Sequence, residues 1–150
     1  MMKKIIMLLA AIVLFMCPAM ADTYTINRDK LPEPAREFLT THFPKGKVAM
    51  IKVDRHLLKK KDYDVKMIDG TKIEFSNAGK WTSVEMKGNK AVPDAIVPKT
   101  IRNYVSKNYS GEKITEIEKK SSYYLVELSA GIKLRFSLLG SFQRIVDIDD

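Results

Sequence analysis

The second half of this 150-residue chain repeats the residue pattern of the first, and this repeat constrains the fold more than any other feature. With a shift of 61 positions, seven residues meet an identical residue: Tyr63, Val65, Gly70, Lys72, Phe75, Ser76 and Gly79 meet Tyr124, Val126, Gly131, Lys133, Phe136, Ser137 and Gly140. Upstream, a shift of 66 aligns Leu31-Pro32 with Val97-Pro98 and Phe43 with Tyr109. The shift changes between Arg55 and Lys61, where a surface loop absorbs a difference in length at little cost. The pattern therefore predicts two copies of one structural unit.

The first 21 residues have the features of a secretory signal peptide. Lys3-Lys4 precede an apolar run from Ile5 to Cys17, and Ala19-Met20-Ala21 forms a cleavage site. The run is shorter than the roughly 20 apolar residues that span a membrane. We therefore predict a periplasmic or secreted protein with no integral membrane segment after cleavage. A lipid anchor on Cys17, which Leu14 precedes by three residues, is the alternative.

Composition limits both the partners and the means of stabilisation. Cys17 is the only cysteine and lies in the predicted signal peptide, so packing rather than disulfides has to stabilise the exported chain. The formal net charge of +8 falls to +6 when Lys3 and Lys4 are removed, which favours acidic partners. Nucleic acid is not an expected partner, because the chain is predicted to be exported and its charges alternate in sign.

Each half begins with a predicted helix. In the first half Leu31–Pro34 opens the helix, since proline is tolerated in a first turn, and Pro44–Gly46 ends it. In the second half Pro93-Asp94 forms an opening turn, Pro98 restarts the helix, and Gly111 ends it.

Four strands follow each helix, because apolar and polar residues alternate with a period of two. The first of the four is predicted at Val48–His56 and at Lys113–Lys120. Two-residue hairpins at Ala78-Gly79 and Leu139-Gly140 predict four cross-strand pairs: Ile73 with Val84, Phe75 with Thr82, Leu134 with Ile145, and Phe136 with Gln143. The alternation also requires three loop residues or a bulge at the Asp69-Gly70 corner and likewise at Gly131.

These elements predict an α+β fold in which a tandem duplication of a helix plus a four-stranded antiparallel meander forms one continuous curved sheet of up to eight strands. The helices cover one face of the sheet. Residues 22–150 are expected to form a single domain of two repeats, about 29–90 and 91–150. The predicted core consists of Phe38, Leu39, Tyr63, Val65, Met67, Ile73, Phe75, Val84, Tyr104, Val105, Tyr124, Val126, Leu128, Leu134, Phe136 and Ile145.

Several of these motifs together resemble a known family. Leu31-Pro32 with Phe38-Leu39 and Phe43-Pro44, Tyr63-x-Val65, the Asp69-Gly70 turn, and Phe75-x-x-x-Gly79-x-Trp81 are similar to the PepSY-like, β-lactamase-inhibitor-protein-like (BLIP-like) family of exported Bacteroidetes proteins. The resemblance covers residues of about 24 to 150. It implies a tandem helix-and-meander fold with one curved sheet, a periplasmic location, and a binding or inhibitory role. In the true β-lactamase inhibitors an open concave sheet face grips the enzyme and disulfides brace each repeat, and this chain lacks those cysteines.

Motifs for catalysis or for cofactor binding are absent from the sequence. His42 and His56 do not form a zinc-binding pattern, and Asp54, Asp62 and Asp64 lack the glycine-spaced loop of calcium motifs. There is no G-x-S-x-G elbow and no glycine-rich phosphate loop. We therefore predict a protein that is not an enzyme and that has no cofactor and no metal site.

The face of the sheet opposite the helices is the predicted binding site. Aromatic and arginine side chains are enriched at interface hot spots. The predicted partner-binding residues are Trp81, Tyr123, Leu125, Lys133, Arg135, Phe142 and Arg144. The leading hypothesis is a non-enzymatic periplasmic module that captures a protein or peptide with acidic groups on this face. A proteinaceous inhibitor of an exported hydrolase, either a β-lactamase or a protease, is the alternative. Coverage of the face by other parts of the chain or by a second copy is also open.

Overall fold

The structure is a computed structural model that describes residues 21–55 and 61–147. The predicted signal peptide up to residue 20, the alternative lipid anchor on Cys17, and His56 lie outside the described residues.

In the described ranges, nine strands and two α-helices follow one another in a repeated order. The first part contains β1 (Thr23–Thr25), a short 3-10 helix (Arg28–Lys30), α1 (Glu33–His42), β2 (Val48–Arg55), β3 (Lys61–Met67), β4 (Lys72–Phe75) and β5 (Trp81–Glu85). The second part contains α2 (Lys99–Asn108), β6 (Ile114–Lys119), β7 (Tyr123–Leu128), β8 (Lys133–Ser137) and β9 (Phe142–Val146). All strands pair antiparallel with their chain neighbours, so the sheet runs from β1 to β9 without a crossover. The α+β class and the helix-plus-four-strand order are confirmed, whereas β1 was not predicted.

The two helices have the same construction. Each begins after a proline, Pro32 or Pro98, and buries two residues four positions apart, which places both on one face of the helix. Each ends at an aromatic residue whose backbone is nearly identical in the two halves, with φ −131° and ψ 54° at Phe43 and φ −132° and ψ 55° at Tyr109. These apolar faces pack on the sheet, since the ring centroids of Phe38 and Phe75 lie 5.5 Å apart.

The corner between the second and third strands of each half has a three-residue loop. The Met67 amide donates to the Thr71 carbonyl over 2.8 Å, and the Leu128 amide donates to the Ile132 carbonyl over 2.9 Å. These bonds enclose residues 68–70 and 129–131. The prediction of three loop residues or a bulge at these corners is confirmed.

The prediction of two-residue hairpins at Ala78-Gly79 and Leu139-Gly140 was wrong. The Ser76 amide donates to the Lys80 carbonyl, and the Ser137 amide donates to the Ser141 carbonyl, which leaves three loop residues in each turn. One extra residue then bulges in the following strand, at position 82 or 143. The predicted pairs of Ile73 with Val84 and Leu134 with Ile145 are confirmed. Next to the turns, however, Phe75 pairs with Trp81 rather than Thr82, and Phe136 pairs with Phe142 rather than Gln143.

The core lies between the helices and one face of the sheet. Thirteen of the predicted core residues are buried, and Phe38 and Tyr104 pack at its margin as partly buried residues. The structure adds apolar residues from the helices, from β2, β6 and from the segment before α2: Leu31, Ala35, Phe43, Ile51, Val53, Val92, Ile96, Val97, Ile101, Ile114 and Ile117. The prediction for Ile145 was wrong. Its side chain is 53% exposed, because it lies in the last strand of the sheet.

The turn glycines allow the turns to sit against the helices. Gly79 and Gly140 have φ values of 78° and 83°, in the left-handed region that favours glycine. A Cβ atom at Gly79 would lie 2.8 Å from Cβ of Pro32, and one at Gly140 would lie 2.8 Å from Cβ of Thr100. Each turn therefore packs against the beginning of the helix in its own half.

We predict that Gly140→Ala destabilises the protein more than Gly131→Ala. Gly131 has the same sign of φ, 84°, but nothing lies within 4 Å of its added Cβ, so that variant has only the backbone cost of roughly 1–2 kcal/mol. Gly140→Ala adds overlap with Thr100, which costs a further ~1–3 kcal/mol. Urea unfolding of the two variants measures the difference. Equal losses would contradict the packing of this turn on α2.

Candidate functional site

One face of the sheet is not packed against a helix in residues 21–55 and 61–147. The alternation of the strands places one set of side chains on this face, which we call the open face. Its members, read from the cross-strand pairs, are Tyr24, Met50, Lys52, Asp54, Asp62, Asp64, Lys66, Lys72, Glu74, Ser83, Glu85, Glu116, Glu118, Tyr123, Leu125, Glu127, Lys133, Arg135, Ser137, Arg144 and Val146.

Five of the seven predicted binding residues lie together on the open face. Leu125 pairs with Arg135, and Arg135 pairs with Arg144 in the next strand. The Arg135 guanidinium carbon lies 3.9 Å from the ring centroid of Tyr123, a cation–π geometry. Lys133 occupies the neighbouring row on β8. The arrangement forms a cationic and aromatic patch on β7, β8 and β9.

The prediction that Trp81 and Phe142 belong to this face was wrong. The ring centroids of Trp81 and Phe38 lie 6.3 Å apart, and the Phe142 ring stacks on Tyr104 with ring centroids 4.7 Å apart. The bulges after the turns are the cause, because one extra residue reverses the side to which the preceding side chain points. Both rings therefore contribute to the packing of the helices on the sheet.

The middle of the open face carries carboxylates that the sequence analysis did not assign to it. Glu116 lies between Glu85 and Glu127, directly opposite each of them. Glu118 lies opposite Ser83, which is only 8% exposed. Glu116 and Glu118 were missed because the residues predicted for the first strand of each half were not assigned to one or the other face of the sheet. The alternation of Glu116 and Glu118 about the apolar Ile117 was the available signal.

Burial and neighbouring negative charges raise the pKa values of three carboxyl groups on the open face. Burial raises the pKa of Glu116 to about 7, and the neighbouring Glu118 and Glu127 act in the same direction against Lys133. Burial followed by the charges of Asp64 and Glu118 raises the pKa of Glu74. The pKa of Asp64 is also raised, by burial and then by Asp54.

Lysines at the margins partly compensate these carboxylates. Lys133 Nζ lies 3.4 Å from a carboxylate oxygen of Glu127 and 3.9 Å from one of Glu116. Lys72 Nζ lies 3.7 Å from Glu85. Along the sheet, the open face therefore changes from an acidic middle on β6 to a basic end on β8 and β9.

The aspartates considered as a calcium site lie close together but do not form a cation cage. Asp54 pairs with Asp62 across β2 and β3, and Asp64 lies one row away. With Glu74 they line a pocket of about 280 Å³. In the part of the chain that the structure describes, no group of three or more His, Cys, Asp or Glu residues is arranged to hold a metal ion. His42 packs against Phe38, with ring centroids 4.6 Å apart.

In the described residues, the fold is that of an α+β protein with a single antiparallel sheet backed by two helices. In the described ranges, neither helix has the length and apolar character needed to cross a bilayer. Residues 61–144 match the family described as "Putative beta-lactamase-inhibitor-like, PepSY-like". The chain belongs to this PepSY-like family, so the family resemblance is confirmed. No curated protein matches the sequence.

Solved structures of similar proteins come from Bacteroides species. A "putative periplasmic protein of unknown function" from Bacteroides vulgatus ATCC 8482 is 36% identical, with a TM-score of 0.80 over 85% of this chain and 100% of that one. A second "putative periplasmic protein" from the same organism is 38% identical, with a TM-score of 0.78 over 86% of this chain and 99% of that one. A "putative calcium-regulated periplasmic protein" from Bacteroides thetaiotaomicron is 34% identical, with a TM-score of 0.78 over 84% of this chain and 97% of that one. A BLIP-like protein from Bacteroides fragilis NCTC 9343 is a distant neighbour, with 15% identity and a TM-score of 0.34.

We predict that Glu116→Gln removes a pH-dependent loss of stability. The folded protein holds the Glu116 proton up to a pH of about 7, whereas the unfolded chain releases it near the ordinary value of 4.5. Because the native state then binds more protons than the unfolded state, the free energy of unfolding of the wild type falls as the pH rises from 4.5 to 7. Urea unfolding across this range should give a smaller fall for Glu116→Gln.

The matched control for this prediction is Glu37→Gln, which changes an exposed carboxylate on α1. This variant should follow the wild-type pH dependence. A ¹³C titration of the Glu116 carboxyl group with a midpoint near 4.5 would contradict the prediction.

Proposed function

We propose that the protein is a non-enzymatic periplasmic binding module that captures a protein or peptide on the open face. The contact is assigned to the basic end of the face, formed by Tyr123, Leu125, Lys133, Arg135 and Arg144. The observation that carries the proposal is the Arg135 guanidinium on the Tyr123 ring at 3.9 Å, in a row that continues to Arg144. Arginine and tyrosine bury a large area on binding and keep polar groups for hydrogen bonds, so they commonly dominate binding energies.

The charges of this region favour a partner with acidic groups. Arg135 and Arg144 are direct cross-strand neighbours, and like charges in this position repel each other. A carboxylate from a partner would relieve that repulsion and form charge-assisted hydrogen bonds with the guanidinium groups. The partner is therefore expected to place acidic residues over β8 and β9.

The periplasmic assignment is supported by two independent observations. The three similar Bacteroides proteins are described as periplasmic. The first 21 residues of this chain also have the charge, apolar run and small-residue motif of a signal peptide.

A proteinaceous inhibitor of an exported hydrolase is the second candidate function. The family description, which names beta-lactamase-inhibitor-like proteins, favours it. Titration of β-lactamases and envelope proteases with the purified protein separates the two functions. A stoichiometric loss of target activity would support an inhibitor, whereas unchanged activity across the panel would leave the binding module.

We also infer that the two halves arose by tandem duplication. Helix ends, corner loops, turns and bulges occupy equivalent positions, as do the C-terminal backbone angles of α1 and α2. The open faces of the halves nevertheless differ, because Ser83 stands where the second half has Arg144. In this view the second half acquired the basic patch on a scaffold common to both.

We predict that the double variant Arg135→Glu/Arg144→Glu weakens capture of the partner by at least about tenfold, since attraction of acidic groups becomes repulsion. The partner is first isolated from native envelope extract by affinity purification and identified by mass spectrometry. Its affinity for the purified variants is then measured by calorimetry.

The matched control is Lys66→Glu/Lys72→Glu, which makes the same change in net charge on the same face but in the first half. It should weaken binding by less than about threefold, through long-range charge alone. Equal effects of both double variants, or none from the arginine variant, would contradict the assigned patch.

A further inference from the structure

Within the described residues, the last strand of the sheet has a strand neighbour on one side only, whereas its counterpart in the first half has one on each side. Val84 in β5 pairs with Ile117 of β6 and is 0% exposed. Ile145 is the equivalent residue in β9 at the 61-residue shift, and it is 53% exposed. Within the described chain, no strand pairs with the outer side of β9. In residues 21–55 and 61–147, the second half therefore contains a counterpart of β5 but no strand beyond it that corresponds to β6.

The β9 edge is unlike the other edge of the sheet. β1 has only three residues, and short edge strands are one means by which proteins avoid pairing with other chains. β9 has five residues, and on the helix side it exposes Ile145 as well as part of Phe142, which is 37% exposed. Its bulge lies next to the turn and leaves residues 144–146 in regular pairing with β8. An extended edge with exposed apolar side chains is a template for an added strand.

The residues on β9 also specify the chemistry of an added strand. On the helix side, an apolar residue is favoured opposite Ile145, because in the first half the apolar Ile117 lies opposite Val84, the counterpart of Ile145. On the open face, Arg144 lies beside Arg135 and one row from Lys133, so an acidic residue is favoured opposite Arg144. In the first half, β6 provides an acidic residue at the corresponding position. Its Glu118 lies opposite Ser83, and Ser83 is the counterpart of Arg144.

We propose that β9 binds an extended segment of the partner as a tenth, antiparallel strand, with an acidic residue opposite Arg144 and an apolar residue opposite Ile145. This inference rests on the proposed binding function and specifies its partner: a segment in which acidic and apolar residues alternate. Backbone hydrogen bonds to the β9 edge contribute affinity, and the two side-chain positions contribute selectivity.

The test uses a synthetic peptide with the sequence of residues 113–120 of this chain, because β6 is the strand that the proposal takes as its pattern. NMR titration of the ¹⁵N-labelled protein should shift the backbone amides of residues 142–147. Arg144→Glu should lower the affinity of the protein for this peptide by roughly tenfold. A peptide that carries Glu118→Lys should bind the Arg144→Glu protein with most of the original affinity. The same substituted peptide should bind the wild-type protein more weakly than the original peptide does.

Ile145→Lys tests the edge separately from the open face. The side chain is on the helix side and half exposed, so the variant should fold, and a lysine pointing inward at an edge opposes strand addition. We expect this variant to lose both peptide binding and capture of the partner protein. Ile68→Lys is the matched control, since it makes the same substitution at an exposed isoleucine in the first half, outside both the edge and the assigned patch. It should leave peptide binding within about threefold of the wild type.

Three results would overturn the proposal. The first is the absence of amide shifts in residues 142–147 at millimolar peptide. The second is a concentration-dependent dimer that Ile145→Lys abolishes, without peptide binding, since β9 would then pair with a second copy. The third is partner capture that Leu125→Lys or Arg135→Glu weakens and Ile145→Lys does not. The third result would retain the proposed function on the open face, whereas peptide binding at β9 together with unchanged capture in Leu125→Lys and in Arg135→Glu would retain the edge site and reject the assigned patch.

Discussion

The contact of each β-turn with the start of a helix determines how the sheet is arranged. Gly79 and Gly140 bring the turns against Pro32 and Thr100, where a Cβ atom would not fit. Each of these turns has three loop residues, and the strand that follows it contains a bulge before regular pairing resumes. The turn and the bulge together direct Trp81 and Phe142 toward the helices, where their rings contact Phe38 and Tyr104. The aromatic packing and the composition of the open face both follow from this local geometry.

Once the large rings are assigned to the helix side, the open face is mainly an electrostatic surface. Its middle combines carboxylates that burial and mutual repulsion hold at raised pKa values, Glu116 above all. Its far end carries Arg135 on Tyr123 beside Arg144. Like charges placed opposite each other cost stability, so a protein selected for stability alone would avoid them. Their presence is one reason for the binding role that we propose for this face.

Much of the fold could be predicted because the informative residues act locally. Prolines and glycines mark the ends of the helices, and the alternation alone required three loop residues or a bulge at Asp69-Gly70, where the structure has a three-residue loop. The predictions that were wrong failed for physical reasons that a single sequence hides. A bulge leaves no compositional mark at Thr82 or Gln143, yet it reverses the side of the neighbouring aromatic residue. The exposure of Ile145 depends on whether another strand follows β9, which its own alternation cannot indicate.

By itself, the sequence determined the two helix-and-meander units, the α+β class, most of the core and the family, since these depend on periodicity and on turn residues. Only the tertiary structure decided which side chains share the open face, how the β6 carboxylates come to lie between β5 and β7, and that β9 is the last strand of the sheet within the described residues. These features depend on the register and on the order of strands in the sheet. Register and strand order arise from contacts between residues far apart in the chain, and local patterns do not encode them.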